Sequence, residues 1–219
     1  MHSYNASKVF PEISHLSLKE IKNQHSDKRQ IAKSVSFALA YGGNGYTISN
    51  NLGVSPERGE EIYNAYFEAF PKLKEFFDKT INESMSRGFI IIDEITNRKF
   101  YFKEFDKLNS YKENKEFSKY YSLKGKYERA CLNYIIQGAA GSITKLASIY
   151  FYNWIKDNNL WDKVAITNLV HDEIHVECEE NMSSIVAKAL EEAMVKGGKL
   201  WCTRVPLNAE AAITDYWSH

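Results

Sequence analysis

Between Ser26 and Gly43 the sequence reads SDKRQIAKSVSFALAYGG, and no other segment of the 219 residues limits the possible folds as strongly. One side carries, at every fourth position, Arg29, Lys33, Phe37 and Tyr41. On a helix these four form one slowly drifting stripe about 18 Å long. Cations bind phosphates, and aromatic rings stack on a base or pack against a sugar. The stripe therefore predicts a site for a nucleoside triphosphate, whereas solvated charges beside core aromatic rings remain the plainer interpretation.

The same segment carries the other marks of a helix that docks on a core. Ser26 or Asp27 suits its N-cap, and the pair Gly42 and Gly43 is typical of a helix end. The side opposite the stripe is an apolar seam made of Ile31, Val35, Ala38 and Leu39.

The pattern R-x-x-x-K-x-x-x-F-x-x-x-Y-G resembles the nucleotide-binding helix in the fingers of family A DNA polymerases, the bacterial polymerase I type. The resemblance implies that Arg29 and Lys33 hold the phosphates of an incoming dNTP and that Lys33 also serves catalysis. It implies that Phe37 faces the sugar and that Tyr41 lies near the template base. The N-terminal MHSYNASKVF predicts a short helix similar to the family's D-I-H-x-x-T-A-x-x-x-F segment, in which His2 matches a phosphate-contacting histidine.

A second polar stripe lies on the long apolar helix predicted over Tyr127–Ile155. Arg129, Asn133 and Gln137 are spaced four residues apart. Their donors could reach the minor-groove edge of DNA, where every correct base pair offers acceptors at similar positions. Capping or buried hydrogen bonding is the alternative. The pattern R-x-x-x-N-x-x-x-Q-G again resembles the family, which implies DNA contacts for these three residues.

Val164–Glu177 predicts two strands joined by a tight turn at His171 and Asp172. Carboxylates at such a turn suit Mg²⁺, which prefers oxygen ligands. Set between apolar strands, the tripeptide H-D-E resembles the metal-binding palm hairpin of the family. The resemblance implies that Asp172 is a metal ligand and catalytic residue, assisted by Glu173. It implies that His171 supports the turn beside the DNA and does not bind metal.

The remaining patterns predict packed helices and short strands. The resemblance implies an α+β chain, with mainly helical fingers followed by a palm that has a small antiparallel sheet. Residues 1–87 are expected to form the fingers, with the nucleotide-binding helix at about 26–42, and residues 88–219 part of the palm. A charged, tyrosine-rich segment at about 103–126 is interpreted as a helical insertion. The palm is expected to close with a strand at Val205–Ala212 and to be anchored by Trp217.

Charge is balanced overall but unevenly distributed. From Arg98 to Arg129 there are ten Lys and Arg against five Asp and Glu, and from Asp157 onward five against eleven. A basic segment beside an acidic one fits a phosphate-binding surface next to a metal-binding one.

Three scattered cysteines form no disulfide framework or metal cluster. No apolar run of about 18 residues occurs, so we expect no membrane association and a cytoplasmic protein, of a bacterium or of a phage's host.

One motif of the family is missing. Its other metal-binding Asp lies in a D-x-S-x-x-E-x-R strand, and no such pattern occurs in these residues. We therefore expect only part of the ligand set for two Mg²⁺ ions, and a partner polypeptide carrying the upstream palm strand and thumb. With primer-template DNA and dNTPs the assembly would be a DNA polymerase. Two alternatives stay open: a non-catalytic nucleic-acid-binding remnant, and a metal-dependent hydrolase built on Asp172, Glu173 and Glu177.

Overall fold

The computed structural model describes residues 1–216, which contain nine α-helices and two small antiparallel sheets, and this confirms the predicted α+β class. The first seven helices are α1 (His2–Val9), α2 (Leu18–Gln24), α3 (Ser26–Ala40), α4 (Gly45–Leu52), α5 (Pro56–Ala69), α6 (Pro71–Arg87) and α7 (Asp106–Glu113). Strands β1 (Phe89–Asp93) and β2 (Arg98–Tyr101) lie between α6 and α7. They are followed by α8 (Phe117–Asp157), β3 (Val164–Val170), β4 (Glu173–Cys178) and α9 (Ser183–Gly198). Trp217 lies outside the described residues.

The chain divides into two compact units, one of residues 1–136 and one that begins at Gln137. The division falls within α8. The predicted division into fingers at 1–87 and palm at 88–219 concerns function, and it stays a prediction. No helix among residues 1–216 is both long and apolar enough to span a membrane.

Local sequence signals explain several of the helix limits. The Asn44 side chain accepts a hydrogen bond from the Thr47 N–H at 3.0 Å and caps α4. Ser55 caps α5, in which proline takes the first helical position. Gly88, with a φ of 77°, ends α6 in the left-handed conformation that glycine tolerates best.

Helices α1 to α6 enclose the main apolar core of the first unit, so the α3 seam is buried as predicted while the aromatic end of its stripe stays exposed. A polar contact ties α1 to α3 inside this core. The buried Asn5 amide donates to the Ser36 hydroxyl at 2.9 Å, and the Tyr66 hydroxyl donates to the same oxygen at 3.3 Å. The fully enclosed side chains of the core include Ile13, Ile21, Val35, Leu39 and Ile48.

A smaller core lies between the β1–β2 hairpin, α7 and the first half of α8. Tyr127 stacks on Phe102 with ring centroids 4.3 Å apart, and Cys131 is fully buried. Burial raises the pKa of the Cys131 thiol to about 11. Tyr120 and Leu123 pack against this core from the same side of the helix. Their contacts explain why α8 begins at Phe117, ten residues before the predicted start.

In the second unit, residues 137–157 of α8, the β3–β4 hairpin and α9 share one core. Backbones approach closely there, since a Cβ added to Gly197 of α9 would lie 2.9 Å from the Ala147 nitrogen. The β3–β4 ladder pairs Val164 with Cys178 and Val170 with Glu173, as the predicted turn requires.

Two local predictions are corrected. Val205–Ala212 forms no strand, and the two sheets of the described residues contain only β1 with β2 and β3 with β4. The Ala211 N–H donates to Glu191 of α9 at 2.8 Å instead of to a strand partner. The N-cap of α3 is His25 and not Ser26 or Asp27, because α2 ends at the same residue. Helix α2 has about two turns and is stabilised by a capping box between Ser17 and Glu20.

Candidate functional site

The predicted nucleotide stripe lies on one face of α3. Phe37 and Tyr41 are 47% and 43% exposed, and their rings stack with an interplanar angle of 14° at a centroid distance of 6.5 Å. The Lys33 Nζ lies 5.9 Å from the Phe37 ring centroid. Arg29 and Lys33 are half-buried, and neither pairs with a carboxylate of residues 1–216. Two unneutralised cations thus lead to two open aromatic faces, as an anionic, partly aromatic ligand requires.

Helix α1 brings His2 to the same face. Its ring lies 6.1 Å from that of Phe37, and its Nδ1 is buried without a hydrogen-bond partner in the described part of the chain. Burial, together with the positive charges of Arg29, Lys33 and the N-terminal amine, lowers the pKa of His2. A buried imidazole nitrogen beside two cations is an unsatisfied group that a phosphate oxygen would satisfy.

The end of α3 meets α8. The Gly42 N–H donates to the Leu39 carbonyl at 2.9 Å and the Gly43 N–H to the Ala38 carbonyl at 2.8 Å, which is a Schellman motif. Gly42 has a φ of 75°, and a Cβ at this position would lie 2.8 Å from the Cα of Arg129. The structure therefore brings the Tyr41 end of the first predicted stripe to the start of the second.

The second stripe is partly exposed on α8. Arg129 is exposed and Asn133 is half-buried, with an Oδ1 that has no hydrogen-bond partner in the described residues. Gln137, also exposed, is the first residue of the second unit. None of the three caps the helix in which it lies, because α8 continues well beyond both ends of the stripe. The capping alternative is therefore wrong.

The β3–β4 hairpin places His171 and Asp172 at a tight turn, as predicted, and Glu173 follows as the first residue of β4. All three are exposed, and His171 has a φ of 52°. The buried Thr144 hydroxyl of α8 lies 3.2 Å from the Ala140 carbonyl of its own helix and 3.3 Å from the His171 carbonyl, so these two acceptors share its one proton. Glu173 pairs with His175 at 3.3 Å.

The donors at this turn fit Mg²⁺ in kind but make only part of a site. Asp172 and Glu173 offer the carboxylate oxygens that Mg²⁺ takes when it is also held by water and by substrate phosphates. Within residues 1–216 no group of three or more His, Cys, Asp or Glu side chains gathers to hold a metal. Glu177, the third carboxylate of the hydrolase alternative, is four residues along β4 from Glu173, about 13 Å away.

Two positioning groups were missed in the sequence. Ser36, which receives the hydrogen bonds of Asn5 and Tyr66, fixes α1 on α3 and with it His2. Thr144 supports the turn of Asp172. A polar residue at a buried position of an apolar helix is the signal that could have found both, but it does not indicate which partner each one binds.

Comparison with known proteins extends over the whole chain. The family model described as DNA polymerase family A matches residues 1–219. DNA polymerase I of Caldicellulosiruptor bescii is 32% identical over 210 residues, which cover 96% of this chain and 22% of that protein. DNA polymerase I of Aquifex aeolicus is 29% identical over 227 residues, covering 100% of this chain and 33% of that protein.

A solved structure is similar as well. The polymerase domain of Pol1 from M. smegmatis, in a complex with DNA primer-template and dNTP, superposes with a TM-score of 0.73 at 26% identity. The match covers 90% of this chain and 31% of that one. The chain thus spans about a fifth to a third of the length of these relatives.

Proposed function

The chain belongs to DNA polymerase family A, and we propose that it supplies the fingers and part of the palm of a polymerase that extends a DNA primer on a template. The observation that carries the proposal is the α3 face. Within residues 1–216 its two cations have no carboxylate partner and the His2 Nδ1 has no hydrogen-bond partner, and its two rings are exposed. The M. smegmatis relative, whose structure contains primer-template and dNTP, supports these ligands for this chain.

On this face the triphosphate lies against Arg29, Lys33 and His2. Charge-assisted hydrogen bonds from the cations hold its oxygens, and the Nδ1 of His2 gains the partner that it lacks. Phe37 packs against the sugar, and Tyr41 lies by the template base. Lys33 also serves catalysis, since its charge opposes the negative charge that develops on the phosphates during transfer.

The other predicted residues act on DNA and metal. Arg129, Asn133 and Gln137 donate to minor-groove acceptors, which sense correct pairing without reading sequence. His171 lies beside the DNA, and Asp172 holds Mg²⁺ with the help of Glu173. A Mg²⁺ ion held there would supply Lewis-acid chemistry to the primer 3′-hydroxyl and to the leaving pyrophosphate. Thr144, through the His171 carbonyl, keeps the Asp172 turn in position.

We propose that a segment outside these 219 residues supplies the second carboxylate. The only carboxylates at the turn of β3 and β4 are those of Asp172 and Glu173. Two divalent cations held close together repel each other strongly, and bridging carboxylates must offset that repulsion. A polypeptide carrying the D-x-S-x-x-E-x-R strand and the thumb would complete the ligand set. Such an assembly would act in the cytoplasm, where DNA and dNTPs occur together.

The test of the nucleotide site is dNTP affinity in Arg29→Ala and Lys33→Ala. Each variant removes a charge-assisted contact, which should weaken binding by roughly 1.5–3 kcal/mol while the fold is kept. Lys22→Ala on α2 is the matched control, because this lysine is exposed and lies outside the stripe. Unchanged affinity in both stripe variants would remove the phosphate assignment.

A non-catalytic nucleic-acid-binding protein is the second candidate. It is favoured by the lack of a metal-ligand group of three or more side chains within residues 1–216. It predicts the same loss of nucleotide affinity in Arg29→Ala but no primer extension in any assembly. Extension that Asp172→Asn abolishes would exclude it.

A further inference from the structure

We propose that the first turns of α8 bind the phosphate backbone of duplex DNA. They do so in a groove that extends the stripe of proposed minor-groove contacts, Arg129 and Asn133, towards the N-terminus of α8. The groove lies between α7 and α8 and has a volume of about 500 Å³. This inference rests on the proposed function, because it takes Arg129 as a DNA contact. It gives a role to the segment interpreted as an insertion, for which the family resemblance provides none.

The groove and the stripe form one face of one helix. The polar residues of α8 that line the groove or continue it follow a spacing of three, four, three and four: Lys119, Ser122, Lys126, Arg129 and Asn133. That spacing holds side chains on a single side of a helix. From Lys119 to Asn133 the face is about 21 Å long. This length equals about six base pairs of B-DNA.

The charges on this face are available to a phosphate. Lys126 and Arg129 are exposed and form no ion pair with a carboxylate of residues 1–216. Lys119 pairs with Glu116 at 2.6 Å and lies 5.5 Å from the Tyr111 ring centroid, but its side chain is 63% exposed. An exposed pair of this kind contributes little, so a DNA phosphate can compete for the lysine.

One acidic residue lines the groove. Glu104 pairs with Lys107 at 2.5 Å. The hydrogen bond from Lys107 lowers the pKa of Glu104 most, and the positive charges of Lys107 and Lys126 lower it further. Lys107 offsets the charge of Glu104 and Glu116 offsets that of Lys119, so the groove keeps an excess of positive charge from Lys126 and Arg129. A backbone ligand fits better than a stacked base, since the groove residues on α8 are cationic or hydroxyl-bearing apart from Leu123.

The test is the salt dependence of DNA binding by the full 219-residue chain, measured by fluorescence anisotropy with a labelled 20-base-pair duplex. Each lost phosphate contact reduces the slope of log affinity against log salt by about 0.9. Lys119→Ala/Lys126→Ala should therefore reduce it by about 1.8 and weaken binding roughly tenfold at low salt, equally for unrelated sequences. Lys103→Ala/Lys112→Ala removes the same charge from exposed positions outside the groove and should change neither quantity.

A variant that removes negative charge from the groove, and so should have the opposite effect on affinity, provides a second test. Glu104→Gln removes the acid of the groove and should tighten duplex binding, whereas a merely destabilised fold would weaken it. Circular dichroism of every variant checks folding.

The inference would be overturned if the groove variant and the control variant lost the same amount of duplex affinity. It would also be overturned if the salt dependence of binding were the same for one strand of this duplex alone as for the duplex. If the groove pair has no effect while Arg29→Ala still loses dNTP affinity, the inference fails and the proposed function stands. If the wild-type chain binds no duplex even at low salt, both the groove and the proposed DNA contacts are wrong.

Discussion

His2 shows how one residue can link nucleotide binding to proton uptake. Burial and the charges of Arg29 and Lys33 lower its pKa, so the folded protein favours the neutral ring. The stability that this preference contributes is fully present when the pH is above 6.5, the ordinary pKa of histidine. It is lost as the pH falls through the lower pKa that His2 has in the folded protein. A triphosphate against the same ring has the opposite effect, because its negative charge favours the protonated imidazole.

We therefore expect dNTP affinity to rise more steeply between about pH 8 and about pH 6 in the wild-type chain than in His2→Gln. The titration of the nucleotide's own phosphates is common to both proteins, so the difference between the two profiles isolates His2. Isothermal titration in buffers of different ionisation enthalpy would measure the protons taken up. Equal profiles for the two proteins would mean that His2 does not contact the phosphates.

The residues that sequence spacing could predict are those repeated along one element. Arg29, Lys33, Phe37 and Tyr41 share the α3 face, and the H-D-E turn lies between its two strands, because helix and strand geometry alone decide such placements. The contacts of Ser36 with α1 and of Thr144 with the His171 carbonyl were not predictable. They join residues about 30 positions apart in the sequence, and only the packed fold determines which of such distant residues meet.

At the scale of elements, caps and prolines made the limits of α4, α5 and α6 predictable, whereas tertiary packing decided the others. Helix α8 begins at Phe117 because Tyr120 and Leu123 pack on the core of the β1–β2 hairpin, which the local pattern around Tyr127 does not reveal. The segment predicted as a closing strand has strand-like residues but no neighbouring strand in the described residues. A strand forms only with a partner for its backbone groups.

The C-terminal end of α3 offers a test with a matched control. Gly42 and Gly53 both have left-handed φ angles, 75° and 65°. A Cβ at Gly42 would lie 2.8 Å from the Arg129 backbone, whereas one at Gly53 would meet no atom of the described residues within 4 Å. Gly53→Ala should lower the free energy of unfolding by about 1–2 kcal/mol, the usual cost of that conformation. Gly42→Ala should lower it further, because α3 and α8 must also move apart.

Urea denaturation of the two alanine variants measures the difference directly. Gly42→Ala should also weaken duplex DNA binding, since Arg129 is displaced, while Gly53→Ala should leave it unchanged. Equal unfolding free energies would show that the close approach between α3 and α8 is not needed for stability.

At the scale of the whole molecule, the sheet that carries the Asp172 turn is small. The sheet of the second unit has two strands in the described residues, and a two-stranded sheet is marginally stable unless other elements cover it. Residues 137–157 of α8 and α9 cover one side, while Leu169 of β3 is 45% exposed. A further strand from the segment proposed to carry the second carboxylate would extend this sheet.

Primer extension tests that proposal. We expect the 219-residue chain with Mg²⁺ not to extend a primer, because Asp172 and Glu173 come from one turn and no carboxylate faces them from an opposing strand of the described residues. A polypeptide carrying the D-x-S-x-x-E-x-R strand and the thumb should restore synthesis. Asp172→Asn should abolish the restored synthesis while DNA binding is kept, because the amide is nearly the same size but lacks the charge that holds metal. Robust synthesis by the chain alone, lost in Asp172→Asn, would show that its second ligand lies within these residues.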